Sequence, residues 1–277
     1  MCIRDSVLAL LLCVACSATK PVEPSSTSQR IVSLSPALTD TISALGAADQ
    51  LIGISQYCSA PKGSDLPRLG GVQDVPLESL IALNPSLIVT ADSKHGPADQ
   101  LRRAGLHVQT FSEGRLTQIL QGFEQMGRLL GRPKRGEKLR QTIQSTLESL
   151  KPKTKGSKVK TLMIFSSQGE PVRQAWAAGP GGWLGDLMEL IGLDNVLVSG
   201  PSYAQLSAES ILTLKPELII ELNPQNTDKA SSITNRWNAF SSIPAVKNNR
   251  LHRLSGEALL RPGPRLIELA QALAKLD

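Results

Sequence analysis

A regular helical pattern occupies the middle of the chain, between residues 133 and 150. Its apolar positions recur at intervals of four, four and three residues: Leu139, Ile143, Leu147 and Leu150. This spacing predicts one amphipathic α-helix with a single apolar stripe. Pro133 suits its first turn and Pro152 favours its end. At 1.5 Å per residue the helix would be roughly 27 Å long, about the width of a small domain.

Closely similar segments of twelve residues lie on either side of this helix. ESLIALNPSLIV begins at Glu78 and ESILTLKPELII begins at Glu209, with six of the twelve positions identical. Each segment predicts a short helix followed by a buried strand. We therefore expect two similar halves that are joined by the mid-chain helix.

Short apolar strands alternate with amphipathic helices on both sides of the mid-chain helix. Outside the repeated segments, strands are predicted at 30–34, 51–54, 108–111, 158–165, 176–178, 196–198 and 250–254, and helices at 36–45, 97–104, 115–130, 180–191, 231–240 and 264–274. The repeat adds a helix at 77–83, a strand at 87–90 and their second copies. This alternation predicts an α/β protein with mostly parallel sheets.

The first 29 residues have a different character. The apolar run at 7–15 is too short to span a bilayer but has the length of a signal-peptide core. It ends at Cys16 in a sequence that resembles a bacterial lipobox, so we expect residues 1–15 to be removed and Cys16 to carry lipid. Ordinary cleavage without lipid is the alternative. Residues 16–29, which are rich in Ser, Thr and Pro, predict a flexible tether.

Composition and motifs exclude several classes of function. The net charge is +6, but no basic run is interleaved with aromatic residues as a nucleic-acid surface requires. The three histidines, His95, His107 and His252, are scattered, so no metal site is predicted. The segment 179–185 approaches a dinucleotide fingerprint but has Leu184 at the third glycine position. No G-x-S-x-G motif indicates a nucleophile, and no general acid/base cluster is evident.

Three segments together point to a family. RIVSLSPALTD at 30–40, the repeated segments, and RPGPRLIELAQALA at 261–274 resemble periplasmic binding proteins of ABC importers for vitamin B12, haem and ferric siderophores, and most of all the vitamin B12 binders. The resemblance implies two Rossmann-like α/β lobes, at 30–130 and 154–277. One long interdomain helix within 131–153 would join them, with the ligand cleft between the lobes.

The resemblance also implies a mode of action. The chain would be a non-enzymatic monomer without a cofactor of its own, located in the periplasm or on the outer face of the cell membrane. Its ligand would be a corrinoid or, alternatively, haem or a ferric chelate, and its partner an ABC permease dimer with its ATPase. Two alternatives from other classes stay open, namely an exported chelatase-like α/β enzyme and a surface interaction lipoprotein.

Site residues follow from the family pattern, position by position. The implied ligand-binding residues are Ser35, Pro36, Ala37, Tyr57, Trp176, Tyr203, Glu257 and Arg261. Glu78 and Glu209 match the two glutamates that dock onto permease arginines. The chain departs from the vitamin B12 binders at Val72, where those proteins have tryptophan.

Each of these residues also has a simpler structural interpretation. The aromatic side chains could serve ordinary core packing. Arg261 could form a surface salt bridge or cap a helix. Glu78 and Glu209 could interact only with the partial positive charge at a helix N-terminus.

Overall fold

The computed structural model describes residues 29–71, 74–152, 158–224 and 233–276. The predicted signal segment 1–15, the lipidation site Cys16, residues 17–28 of the tether, and Val72 lie outside these ranges. Within them, no helix is both long enough and apolar enough to cross a membrane.

The first lobe is built on a four-stranded parallel sheet with the strand order β2-β1-β3-β4. Its elements are β1 (Ile31–Ser33), α1 (Pro36–Ala44), β2 (Leu51–Ile54), α2 (Leu77–Ala82), β3 (Leu87–Ala91), α3 (Ala98–Arg103) and β4 (Val108–Phe111). Strands β1 and β3 are buried almost completely. This burial explains why their sequences are continuously apolar rather than alternating.

Two helices follow the first sheet and connect it to the second lobe. They are α4 (Leu116–Leu129) and α5 (Pro133–Ser149), and α5 matches the predicted mid-chain helix. A side chain on Gly127 would place its Cβ 2.7 Å from the Cα of Gly136, so these two glycines allow the helices to pack closely. Leu116 and Phe123 of α4 pack in the core of the second lobe, whereas Met126 packs in that of the first. Helix α4 therefore crosses the junction together with α5.

The second lobe contains a six-stranded mixed sheet with the order β10-β9-β5-β6-β8, and β7 pairs with β5 beside this path. Its elements are β5 (Val159–Gln168), β6 (Gln174–Ala178), α6 (Trp183–Leu190), β7 (Leu193–Asn195), β8 (Tyr203–Ser207), α7 (Ala208–Leu214), β9 (Leu218–Asn223), α8 (Ile233–Trp237), α9 (Pro244–Lys247), β10 (Leu251–Ser255) and α10 (Leu266–Leu273). The pairs β5–β9, β9–β10 and β5–β7 are parallel, and β5–β6 and β6–β8 are antiparallel.

The predicted two-lobed α/β architecture is confirmed, but two local predictions in the second lobe were wrong and one strand was missed. The strand predicted at 196–198 lies instead at Leu193–Asn195, where it pairs with the start of β5. Val198 is 88% exposed and so has no burial to hold it in a sheet. The helix predicted from residue 180 begins only at Trp183, because residues 180–181 form a turn and Gly182 is extended. Strand β8 was not predicted at all.

Candidate functional site

The loop after β1 places polar groups at the carboxyl edge of the first sheet, where open α/β sheets bind their ligands. Ser35 is 6% exposed and donates a hydrogen bond of 2.7 Å from its Oγ to Oε1 of Glu113. Glu113 lies just after β4, so the ends of β1 and β4, which flank β3 in the sheet, supply this pair. Burial raises the pKa of the Glu113 carboxyl, while the Ser35 hydrogen bond acts in the opposite direction.

The second lobe presents an aromatic surface on one face of its sheet. Trp176 pairs with Gln205 between β6 and β8, and Tyr203 lies two residues from Gln205 on the same strand. Because side chains alternate along a strand, Trp176 and Tyr203 point to the same face as diagonal neighbours. The ring of Phe165 packs edge-on against Tyr203 with 5.2 Å between centroids. We call Phe165, Trp176 and Tyr203 the aromatic face.

Trp176 and Tyr203 lie within antiparallel strands of the second lobe. Trp176 is 41% exposed and Tyr203 is 45% exposed, so neither belongs to the buried core. Tyr57 does follow its strand, β2, and is 61% exposed. Among the described contacts, none joins the ring of Tyr57 to the aromatic face.

The aromatic face approaches the polar edge of the first lobe through Tyr203. Burial of the phenol raises the pKa of Tyr203, and a hydrogen bond with the Trp183 side chain lowers it. The negative charge of Glu113 raises the Tyr203 pKa further, so this carboxylate lies close enough to affect the phenol electrostatically. Glu113 of the first lobe and Tyr203 of the second therefore interact electrostatically.

Arg261 ties the C-terminal loop to the first lobe. Its guanidinium lies 3.5 Å from a carboxylate oxygen of Asp40, 3.1 Å from the hydroxyl of Ser59 and 3.6 Å from Glu257. Burial raises the pKa of Asp40, although the charge of Arg261 lowers it. Arg261 thus forms salt bridges within its own protein, but its side chain is 13% exposed, so the pair with Asp40 is largely buried rather than at the surface.

Ala37 is covered by the same C-terminal loop. A Cβ added to Gly263 would lie 2.9 Å from the carbonyl oxygen of Ala37, so only glycine permits this approach. Ala37 is 2% exposed, and Pro36 beside it begins α1. The sequence-predicted residues of the Ser35–Ala37 loop and of the C-terminal loop are therefore brought together. The Tyr57 loop joins them through Ser59.

The two predicted docking glutamates occupy equivalent places. Glu78 is the second residue of α2 and Glu209 the second residue of α7, and both are exposed. Three residues further along each helix lies an exposed apolar side chain, Ile81 at 50% and Leu212 at 39%. A carboxylate and an apolar group are thus repeated, with the same spacing, in both lobes.

Sequence reasoning missed Glu113, Phe165 and Asp40. Glu113 could have been predicted as a site residue, because it follows a predicted strand in the same way as Ser35 and Tyr57 do. Phe165 lay inside a continuous apolar run and gave no sign of a surface role. No group of His, Cys, Asp and Glu within the described parts of the chain is arranged to hold a metal ion.

The fold is that of a two-lobed solute-binding protein. Packed helices join its lobes, and a polar edge of the first lobe lies near an aromatic face of the second. A family model described as periplasmic binding protein matches residues 31–258, and the chain belongs to that family. The family resemblance expected from the sequence is thereby confirmed.

Three similar proteins illustrate the range of this family. The ABC transporter substrate-binding lipoprotein YvrC of Bacillus subtilis (strain 168) is 28% identical over 89% of this chain and 79% of its own length. The vitamin B12-binding protein of Vibrio parahaemolyticus is 27% identical, covering 90% of this chain and 87% of its own. The periplasmic haem-binding protein HutB of Vibrio cholerae has a TM-score of 0.77 and 26% identity, covering 90% of this chain and 99% of its own. The chain is accordingly a substrate-binding protein of ABC importers in the vitamin B12, haem and siderophore group.

Proposed function

We propose that this protein binds a corrinoid between its lobes and delivers it to an ABC permease. The observation that carries the proposal is the aromatic face, with Trp176 and Tyr203 exposed on one side of the second sheet. A large flat macrocycle needs broad apolar contact and a few polar groups that fix its orientation. The Ser35–Glu113 pair is positioned to supply such groups from the opposite lobe. The similarity to a vitamin B12-binding protein supports this choice.

Haem or a ferric chelate is the second candidate. The similarity to HutB favours haem, and an exposed aromatic surface suits a porphyrin as well as a corrin. We would titrate the purified mature protein separately with cyanocobalamin, haemin and a ferric siderophore, and follow quenching of tryptophan fluorescence. Saturable binding of cyanocobalamin with the highest affinity is expected. A clear preference for haemin or the siderophore would replace the corrinoid assignment, and binding of none of them would overturn it.

The permease is proposed to contact both lobes at once. Glu78 with Ile81, and Glu209 with Leu212, give two similar patches of a carboxylate beside an apolar side chain. A two-fold symmetric permease offers two equivalent sockets to such a pair. Exposed charges mainly provide orientation and association rate, so this docking should weaken as salt is added.

Several further expectations belong to the same proposal. Residues 1–15 would direct export, Cys16 would anchor the protein at the outer face of the membrane, and 16–29 would be the tether. The ranges 30–130, 131–153 and 154–277 would be the first lobe, the bridging segment and the second lobe. The protein would act as a monomer and without catalysis, as a binding protein of this family.

A further inference from the structure

A cavity of about 350 Å³ opens in the second lobe where β5 and β9 end. Its polar lining consists of Ser166, Ser167, Glu221, Asn223, Arg236 and Arg253. The cavity lies at the carboxyl ends of parallel strands, which is the usual position of ligand sites in such sheets. Nothing in the family resemblance assigns a role to these residues.

The charges of the described residues that line the cavity do not cancel. Glu221 is 5% exposed and accepts hydrogen bonds from the indole of Trp237 at 2.9 Å and from Nη2 of Arg253 at 2.7 Å. This buried carboxylate therefore balances the charge of Arg253. Arg236 contacts the hydroxyl of Ser167, and no carboxylate within the described residues lies at ion-pair distance from it. Among the described residues, one positive charge is thus left in excess in a partly enclosed space.

We propose that this cavity is a subsite for an anionic group, a carboxylate or a phosphate, carried by the transported ligand. The planar guanidinium of arginine suits the two oxygens of such a group, and hydroxyl and amide groups can complete its hydrogen bonds. The volume is near the lower limit for small-molecule pockets, so the cavity fits a side group better than a whole macrocycle.

The cavity adjoins the aromatic face, so this inference rests on the proposed function. Ser166 is paired with Trp176 across β5 and β6, and Phe165, which also lines the cavity, contacts Tyr203. Arg236 contacts Ser167, which points to the opposite face of the sheet from Ser166 and Trp176. A ligand on the aromatic face would therefore reach Arg236 with an anionic side group only through the cavity, which Phe165 and Ser166 also line. A corrinoid carries a phosphodiester, whereas haem and many ferric chelates carry carboxylates, so the preferred anion would also narrow the ligand class.

The test uses the indole N–H of Trp237 as a reporter, because this group is bonded to Glu221 at the cavity wall. Isotope-labelled mature protein would be titrated by NMR with citrate and, separately, with inorganic phosphate. We expect a saturable shift of the Trp237 signal with at least one of them. Arg236→Gln should weaken that binding at least tenfold, and Arg236→Lys, which keeps the charge but loses the planar fork, should weaken it less. Arg103→Gln, an exposed change on α3, is the charge-matched control and should have no effect.

Three results would overturn the subsite. They are no saturable shift of the wild-type signal, equal binding by Arg236→Gln and the wild type, or an equal loss in Arg103→Gln. Retention of the dispersed Trp237 signal in each variant shows that the lobe is folded. Because citrate and phosphate are tested without any macrocycle, the subsite and the proposed corrinoid binding can fail independently. Stronger binding of citrate indicates carboxylate-bearing ligands, and stronger binding of phosphate indicates a phosphodiester.

Discussion

Replacing Trp176 with alanine should weaken ligand binding strongly while leaving the fold intact. Trp176 exposes 41% of its surface, which is about 100 Å² for a side chain of about 250 Å². Covering that area with a ligand would contribute up to about 2.5 kcal/mol at about 25 cal/mol per Å². This corresponds to a loss of roughly 70-fold in Kd. Incomplete coverage reduces the effect, so we expect a loss of about 10- to 70-fold.

Isothermal titration calorimetry is the suitable assay, because Trp176 is one of the three tryptophans whose fluorescence a quenching titration would follow. The ligand would be whichever of cyanocobalamin, haemin and a ferric siderophore the wild type binds. Trp176→Phe keeps an aromatic surface and should recover most of the affinity. Val198→Ala is the matched control, since Val198 is 88% exposed and lies outside the aromatic face. The melting temperature of Trp176→Ala should stay within about 2 °C of the wild type, because substitutions at exposed positions rarely change stability by much.

The reasoning would be refuted by a Kd for Trp176→Ala within twofold of the wild type. The aromatic face would then be an exposed surface without a role in ligand binding. An equal loss of affinity in Val198→Ala would also refute it, because the effect would no longer be specific to the aromatic face.

Three other predictions concern docking, helix packing and pH. Glu78→Arg combined with Glu209→Arg should abolish uptake by cells but leave the ligand Kd unchanged, because both carboxylates are exposed. Normal uptake by the double variant would mean that the two carboxylates interact only with the N-termini of their own helices. Gly127→Ala should lower the free energy of unfolding, measured with urea, by about 1–3 kcal/mol because its Cβ would clash with α5. Gly122→Ala on the same helix is the control. Its Cβ would have no atom nearer than 3.8 Å, so the change should be neutral or stabilising. Burial raises the pKa of Glu113 in the folded state above its ordinary 4.5, so the folded protein binds this proton more tightly than the unfolded chain does. Stability of the wild type relative to Glu113→Gln should therefore fall as the pH rises above about 4.5, and urea midpoints with the same pH dependence in both proteins would contradict this.

The sequence by itself determined the architecture. The spacing of leucines predicted α5 to within one residue of its observed end, and the repeat at Glu78 and Glu209 predicted two similar lobes. These features are local, because helix periodicity and turn residues act within a few positions of the chain. The family resemblance depended on the same local segments and was confirmed by the match over residues 31–258.

The candidate site could be predicted only in part. Ser35 and Tyr57 follow buried parallel strands, so their positions at a sheet edge could be inferred from the order of elements along the chain. Trp176 and Tyr203 were expected to bind the ligand, which stays a prediction, and the antiparallel strands that hold them side by side were not foreseen. Strand pairing joins segments that are distant in sequence, and no local pattern specifies which neighbour or register a short strand adopts.

Tertiary structure alone decided the contacts between elements. Arg261 meets Asp40 across 221 residues of chain, and Glu113 reaches Ser35 across 78. Arg236 carries an excess charge among the described residues because Glu221 pairs with Arg253. This pairing is visible only in the folded sheet. Such electrostatic arrangements depend on distance, burial and local dielectric in three dimensions. Those quantities arise when the lobes fold and pack against each other, so they cannot be read from the order of residues.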